Sequence, residues 1–149
     1  MNKLEEQDRR SLVRARARLE LAPIDFNREV VRTVSHSSQT QVAAHIGLTQ
    51  ARVSQIVSTT PKPREGFSGA SPREIAQRFA AGELTEAQAI DELGRWPYRE
   101  IGHPDEYDGL WEPGEGTWLD VELAHSDELI TDEVYEGAQL LRHSRRDPA

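Results

Sequence analysis

The apolar positions of the first 35 residues recur at helical spacing. Between residues 3 and 22 they fall on one side of a helix, at Leu4, Leu12, Ala15, Leu19 and Ala22. Pro23 has no backbone N–H to continue the hydrogen-bond ladder, so this first helix is predicted to end there. A second helix, capped by Asp25 or Asn27, is predicted to run to about residue 35. Its inward residues would be Val30, Val31 and Val34.

The pattern from residue 39 to residue 58 fits two short helices joined by a glycine turn. Val42 and Ile46 lie four residues apart on the first helix, and Ala43 is small enough for another helix to pass close by. Gly47 stands where the chain must adopt a left-handed conformation to leave that helix. An apolar plug, an N-cap and two inward residues complete the pattern: Leu48, Thr49, Val53 and Ile56.

This segment, QTQVAAHIGLTQARVSQIVS, resembles the helix-turn-helix of bacterial DNA-binding proteins. The small residue, the glycine four positions later and the apolar positions fall where that family has them. The part ARVSQIV is similar to the recognition helices of sigma-factor region 4 and of Cro/repressor-type regulators. The resemblance implies a tri-helical core in which the preceding helix supports the pair, and a function in binding duplex DNA. A helical hairpin with a glycine turn and no DNA role is the alternative.

If the second short helix enters a major groove, one side of it and its N-terminal end are candidates for DNA contacts. These residues are Thr49, Gln50, Ala51, Arg52, Ser54 and Gln55. Glutamine can pair with adenine, the alanine methyl can meet thymine, and arginine can reach guanine or phosphate. Thr40 and Gln41 begin the first short helix, where free amides favour phosphate. All these residue types are also ordinary solvent-facing residues, and that alternative stays open.

The long first helix carries two further features. Arg10, Arg14 and Arg18 repeat every four residues and form a basic stripe, which predicts phosphate contacts beside the short helices. A solvated helix face is the alternative for this stripe. The apolar side of the helix predicts a seam between two copies of the chain, since helix-turn-helix dimers read two half-sites. We therefore expect a homodimer on double-stranded DNA.

Beyond residue 60 the pattern changes. Residues 61–71 contain two prolines and two glycines without apolar periodicity, so they are predicted to be a linker. A helical hairpin follows, in which Ser71 and Glu74, then Thr85 and Gln88, have the spacing of capping boxes and Pro72 suits the first helical position. Its predicted inward residues are Ile75, Phe79, Leu84, Ile90 and Leu93.

Residues 102–117 are predicted to be a loop, and the rest resembles a looser copy of the hairpin. The predicted fold is therefore all-α. It has a DNA-binding domain over residues 1–60, a linker over 61–71 and an acidic helical region over 72–149.

Charge separates the two ends of the chain. The net charge is −8, but residues 1–65 hold 11 Lys/Arg against 7 Asp/Glu, a net of +4, and residues 66–149 hold 7 against 19, a net of −12. The acidic part would be repelled by a duplex and is expected to serve self-association or a basic protein partner such as a toxin. Its aromatic residues are the predicted contacts: Trp96, Tyr98, Tyr107, Trp111 and Trp118. For Trp96 and Trp118 the alternative is a small core that joins the two hairpins.

Several function classes find no support in the residues. Without cysteine there is no disulfide, thiolate nucleophile or cysteine-type zinc site. No apolar run reaches the roughly 20 residues that span a bilayer, and the N-terminus lacks a signal-peptide pattern, so a soluble cytoplasmic protein is expected. His103 lies near Asp105, Glu106 and Asp108, but a solvated loop explains this cluster better than a metal site. No nucleophile–base pair or phosphate loop is present, and neither catalysis nor a cofactor is expected.

The sequence thus predicts a sequence-specific DNA-binding transcriptional regulator, with repression as the expected mode. A small acidic regulator of this layout is similar to the antitoxins of bacterial toxin–antitoxin pairs, in which one half represses the operon and the other covers the toxin. An interaction adaptor is the alternative. In that case the helix-turn-helix would be only a scaffold, and the acidic half would carry the function.

Overall fold

The structure is a computed structural model that describes residues 3–100 and 116–146. These residues form seven α-helices and no β-strand, which confirms the all-α prediction. The helices are α1 (Glu6–Val34), α2 (Gln39–Ile46), α3 (Gln50–Thr59), α4 (Pro72–Ala80), α5 (Glu86–Arg95), α6 (Leu119–Ser126) and α7 (Asp132–Arg146). None of these helices is both long and apolar enough to cross a membrane.

The chain divides into two compact units, and the division differs from the predicted domains. Residues 19–62 form the small unit. Residues 1–18 and 63–149 form the large unit, of which 3–18, 63–100 and 116–146 are described. Residues 1–18, which are predicted to be part of the DNA-binding domain, therefore belong to the large unit. These residues belong there because Val13 packs on the core of the large unit.

The prediction that a helix ends at Pro23 and another begins near Asp25 is wrong, because α1 runs through Pro23 without interruption. Proline removes the hydrogen bond to the carbonyl four residues earlier, which here belongs to Leu19. Pro23 and Leu19 both lie on the exposed side of the helix, where water can satisfy that carbonyl. A proline in this position interrupts no buried hydrogen bond, so the helix continues.

The small unit is built around one apolar cluster shared by α1, α2 and α3. Its buried members are Val30, Val42, Ala43, Val53 and Ile56. Val31, Val34, Ile46, Leu48 and Val57 pack around them while partly exposed. The inward residues predicted for these helices are therefore confirmed. The guanidinium of Arg28 donates to the carbonyl of Pro61 at 3.1 Å, which fastens the chain after α3 back onto α1.

The large unit contains two helical hairpins with the same turn. Gly82 (φ 88°) follows α4 and Glu128 (φ 62°) follows α6, and each is in the left-handed region. Three residues later, the hydroxyls of Thr85 and Thr131 accept hydrogen bonds from backbone N–H groups at 3.1 and 3.2 Å. These bonds cap α5 and α7. The looser second copy suggested by the sequence thus has the turn geometry of the first.

One of the two predicted capping boxes is confirmed. Thr85 and Gln88 exchange both expected hydrogen bonds. At the start of α4, Ser71 caps the helix as predicted, but the carboxylate of Glu74 accepts from the N–H of Ala70 at 3.1 Å instead of completing the box. The same carboxylate forms a buried ion pair with Arg78 at 3.1 Å. The carboxylate of Glu74 is thus held by Ala70 and Arg78.

Most of the predicted linker packs onto the large unit. The ring of Phe67 lies edge-on to Trp96 with centroids 4.9 Å apart, and the hydroxyl of Ser68 donates to the carboxylate of Glu92 at 2.7 Å. Glu92 is buried and also accepts from the backbone N–H of Ser68. This segment is anchored by single side chains and backbone groups, and no face of a helix or strand packs it. Its sequence therefore shows no apolar periodicity.

Candidate nucleic-acid interface

The candidate interface consists of α2, α3 and the turn between them, in the small unit. Helix α2 begins at a capping box that the sequence reasoning missed. The hydroxyl of Ser38 accepts from the N–H of Gln41 at 3.1 Å, and the amide oxygen of Gln41 accepts from the N–H of Ser38 at 3.4 Å. The Ser-x-x-Gln spacing of residues 38–41 was the available signal.

The turn between the two helices has the conformation that the sequence predicts. Gly47 lies at φ 70° and ψ 28°, in the left-handed region, and the N–H of Leu48 donates to the carbonyl of Ala43 at 3.0 Å. Thr49 then caps α3, because its hydroxyl accepts from the N–H of Arg52 at 3.1 Å. These local bonds fix where α3 begins and which of its residues face outward.

Five of the predicted contact residues share the exposed side of α3, which we call the α3 outer face. They are Gln50, Ala51, Arg52, Ser54 and Gln55, and each is exposed. The face points outward because Val53 and Ile56 are buried in the core of the small unit. The Arg52 guanidinium donates to the side-chain oxygen of Gln55 at 2.8 Å, so a planar cation and an amide are held side by side. Such a pair offers hydrogen-bond donors to base edges or phosphate oxygens.

The start of α2 offers less than predicted. Thr40 is exposed and keeps the predicted position on the first turn. Gln41 is exposed as well, but the oxygen of its side chain is occupied by the N–H of Ser38. Its remaining polar group is the side-chain NH₂, a donor.

The three arginines of the basic stripe are exposed, and each makes a different contact. Arg10 pairs with Glu6 on the same helix. The Nε of Arg18 donates to the carbonyl of Ala81 at 3.3 Å, and the guanidinium of Arg14 lies so close to Gly82 that a Cβ there would be 2.7 Å from it. Two of the three cations therefore sit at the C-terminal end of α4, where carbonyl dipoles favour positive charge. They hold the first part of α1 onto the rest of the large unit, and the phosphate contacts expected of the stripe stay a prediction.

The predicted aromatic surface for a protein partner is also corrected. Trp96 and Trp118 are each only 8% exposed and belong to the core of the large unit, which is the alternative that the sequence left open. Tyr98 is partly buried, with its ring edge-on to Trp118 at 5.2 Å between centroids. These rings are buried because they fill the space between the hairpins. Tyr107 and Trp111 lie outside the described residues.

One exposed ion pair of the small unit, Glu29 with Arg32, has shifted pKa values. On α1, the hydrogen bond from Arg32 lowers the pKa of the Glu29 carboxyl, and the same bond raises the pKa of Arg32. Both groups are fully exposed, so this pair adds little to stability.

No described residues form a group of three metal-ligating side chains. This holds for histidine, cysteine, aspartate and glutamate within 3–100 and 116–146. The His103 cluster with Asp105, Glu106 and Asp108 lies outside the described residues.

Comparison of the chain with family models, curated proteins and solved structures found no match.

Proposed function

We propose that the protein is a cytoplasmic, sequence-specific DNA-binding regulator that uses the α3 outer face to read a duplex. The observation that carries the proposal is the combination of a glycine turn, a capped short helix and an exposed polar face on that helix. In helix-turn-helix proteins, the second helix of such a pair lies in the major groove and its N-terminal residues contact base edges. Gln50, Arg52 and Gln55 have the side-chain chemistry for such contacts.

The charge of this region supports the same proposal. No aspartate or glutamate occurs between Glu29 and Glu65, so α2, α3 and their turn carry no acidic side chain. Duplex DNA has one negative charge per ~1.7 Å of its axis, and an acidic residue on the approaching face would be repelled. The region without acidic residues contrasts with residues 66–149, whose net charge is −12.

We further propose that the regulator is a homodimer that associates along α1. Leu12, Leu19 and Phe26 follow one another at intervals of seven residues, and they are 57%, 74% and 47% exposed. A seven-residue apolar repeat on an exposed helix face is the pattern by which two helices pair. The expected result is a dimer in sedimentation analysis and a monomer after Leu12→Asp with Leu19→Asp. A wild-type chain that sediments as a monomer at high concentration would contradict it.

The acidic part of the chain would serve a basic protein partner, as in an antitoxin that represses its own operon. The buried positions of Trp96 and Trp118 shift this part of the proposal from aromatic contacts to exposed carboxylates such as Asp91, Glu122 and Glu133. Co-purification with the product of the adjacent gene tests it, and the complex should dissociate as salt is raised.

The DNA proposal is tested by titrating the full chain into labelled duplex from upstream of its own gene. Arg52→Ala combined with Gln55→Ala should weaken binding by at least about tenfold, because two base- or phosphate-contacting groups are removed. The matched control is Arg32→Ala, which removes an exposed arginine of the same unit that lies on α1. It should change the affinity by less than about threefold.

Two outcomes would remove the proposal. One is unchanged affinity in the double variant with its circular dichroism intact, and the other is equal affinity for duplexes of unrelated sequence. The first would favour the adaptor alternative, in which α2 and α3 serve only as a scaffold, and the second would show DNA binding without sequence specificity. A steep fall of affinity with salt is also expected, since phosphate contacts release counterions.

A further inference from the structure

The basic residues of the acidic part of the chain are not spread over its surface. Residues 66–149 contain seven arginines and no lysine, against 19 acidic residues. Five of these seven arginines line a single cavity of about 290 Å³ in the large unit: Arg95, Arg99, Arg142, Arg145 and Arg146. Glu100 is the only acidic side chain among the described residues that line it. Such clustering of one charge against the trend of the region points to a specific use.

The floor of this arginine cavity is held in place by aromatic packing. The guanidinium of Arg142 lies over Trp118, 4.7 Å from the ring centroid, and 5.5 Å from that of Tyr98. The Tyr98 hydroxyl donates to the carbonyl of Leu93, which fixes its ring. Arg142 is therefore positioned by stacking, a contact that leaves its N–H groups available in the plane of the guanidinium.

The arginines of the cavity differ in their partners. Arg95 is engaged elsewhere: it pairs with Asp91 at 3.2 Å, donates to the carbonyl of Gly66 at 2.9 Å and lies over Phe67. Arg142 lies near one other cation, Arg146, and near the carboxylate of Glu122. Burial, and then the charge of Arg146, lower the pKa of Arg142. Its charged form is thus disfavoured by its surroundings, and an anion in the cavity would reverse that effect.

We propose that the arginine cavity binds a small multivalent oxyanion, either a phosphate ester or a di- or tricarboxylate. Guanidinium groups hold phosphate and carboxylate oxygens through paired hydrogen bonds, and several arginines line this cavity. Trp96 and Tyr98 supply an apolar wall for the body of the ligand. The volume lies at the lower end of the ~300–1,000 Å³ typical of small-molecule sites, which favours a compact ligand.

The test is calorimetric titration of the full chain, at constant ionic strength, with pyrophosphate and separately with citrate. Arg145→Gln with Arg146→Gln should weaken binding by at least about tenfold, because two charge-assisted contacts are lost. Both residues are exposed, so the variant should fold. The matched control is Arg9→Gln with Arg73→Gln, which removes two exposed arginines of the same unit that pair with Glu128 and Asp127. Its affinity should stay within about twofold of wild type.

The calorimetric titration either identifies the class of anion or overturns the proposal. Binding of pyrophosphate alone identifies a phosphate ligand, and binding of citrate alone a carboxylate ligand. No heat from either anion up to about 10 mM, a concentration that reports even weak affinity, overturns the proposal. Equal binding by the cavity variant and wild type also overturns it.

The proposal is independent of DNA binding, so Arg52→Ala with Gln55→Ala should leave the anion affinity unchanged. If the cavity variant instead loses affinity for duplex while neither small anion binds to wild type, the arginines serve nucleic acid and the proposal fails.

Discussion

A substitution at Gly47 would strain the backbone without causing a side-chain collision. It lies at φ 70°, and a Cβ built on it would meet no atom within 4 Å. Alanine there would cost about 1–2 kcal/mol through the left-handed conformation alone, since nothing would collide. Gly47→Ala should therefore raise the amide exchange rates of residues 39–59, whereas Gly47→Asn should raise them less because asparagine tolerates this region. Equal rates in wild type and Gly47→Ala would show that the turn is not under this constraint.

Tyr98 gives the large unit a dependence on alkaline pH. Burial raises the pKa of its phenol above the ordinary value of 10.0. The folded state therefore prefers the neutral form, and the stability that Tyr98 contributes is complete below pH 10 and declines as the pH rises above it. The chain has three tyrosines, two lysines and no cysteine, so few other groups titrate in that range.

We expect the free energy of unfolding in urea to fall between pH 9 and pH 11, and Tyr98→Phe to reduce that fall. Tyr135→Phe is the control, because it removes a phenol hydroxyl from another tyrosine of the same unit. The idea fails if the two variants lose stability in parallel over this range.

At the level of the elements, α5 and α7 pack closely, because each supplies a glycine at a point of contact. A Cβ on Gly94 would lie 2.6 Å from Leu141, and one on Gly137 would lie 2.7 Å from Ile90. Both pairs advance together along the chain, so the two helices run in the same direction. The small residues allow the helix backbones to approach closely.

Gly137→Ala should destabilise the large unit, although alanine favours helix by about 1 kcal/mol over glycine. Overpacking of a filled contact costs about 1–3 kcal/mol, so the collision with Ile90 is expected to dominate. Urea unfolding followed by the fluorescence of the buried tryptophans measures it. In an Ile90→Ala background the cost should disappear and Gly137→Ala should become neutral or stabilising. The same loss in both backgrounds would show that Ile90 is not the cause.

How far the elements could be predicted depends on the range of the interaction that decides them. Gly47 and Thr49 act through bonds to neighbours within five residues, and their roles are legible in the sequence. Pro23 does not stop α1, because the effect of a proline depends on the side of the helix on which it lies, and the residue type alone does not reveal that side. Arg18 bonds to Ala81 and Trp96 is buried in the core through contacts with distant segments, which local spacing does not reveal.

At the scale of the whole molecule, the two units differ in the size of their cores. Among the residues that the structure describes, twelve buried ones form the main cluster of the large unit, whereas five form that of the small unit. A small core leaves a narrow margin over chain entropy, and local opening follows the least stable part of a structure. Amide exchange should therefore report a lower opening free energy for α2 and α3 than for α5 and α7. The reverse order would contradict this ranking.

The same measurement links stability to the proposed function. A ligand that binds only the folded small unit stabilises it according to its concentration, by about 2.7 kcal/mol at a hundredfold excess over Kd. A cognate duplex should therefore slow exchange in α2 and α3, and Arg52→Ala with Gln55→Ala should abolish the slowing. Pyrophosphate, if it occupies the arginine cavity, should slow exchange at the end of α7 and leave α3 unchanged. Duplex protection confined to α7 would place the nucleic acid on the arginines and not on the α3 outer face. The two proposals thus predict opposite patterns along one chain, and a single exchange experiment separates them.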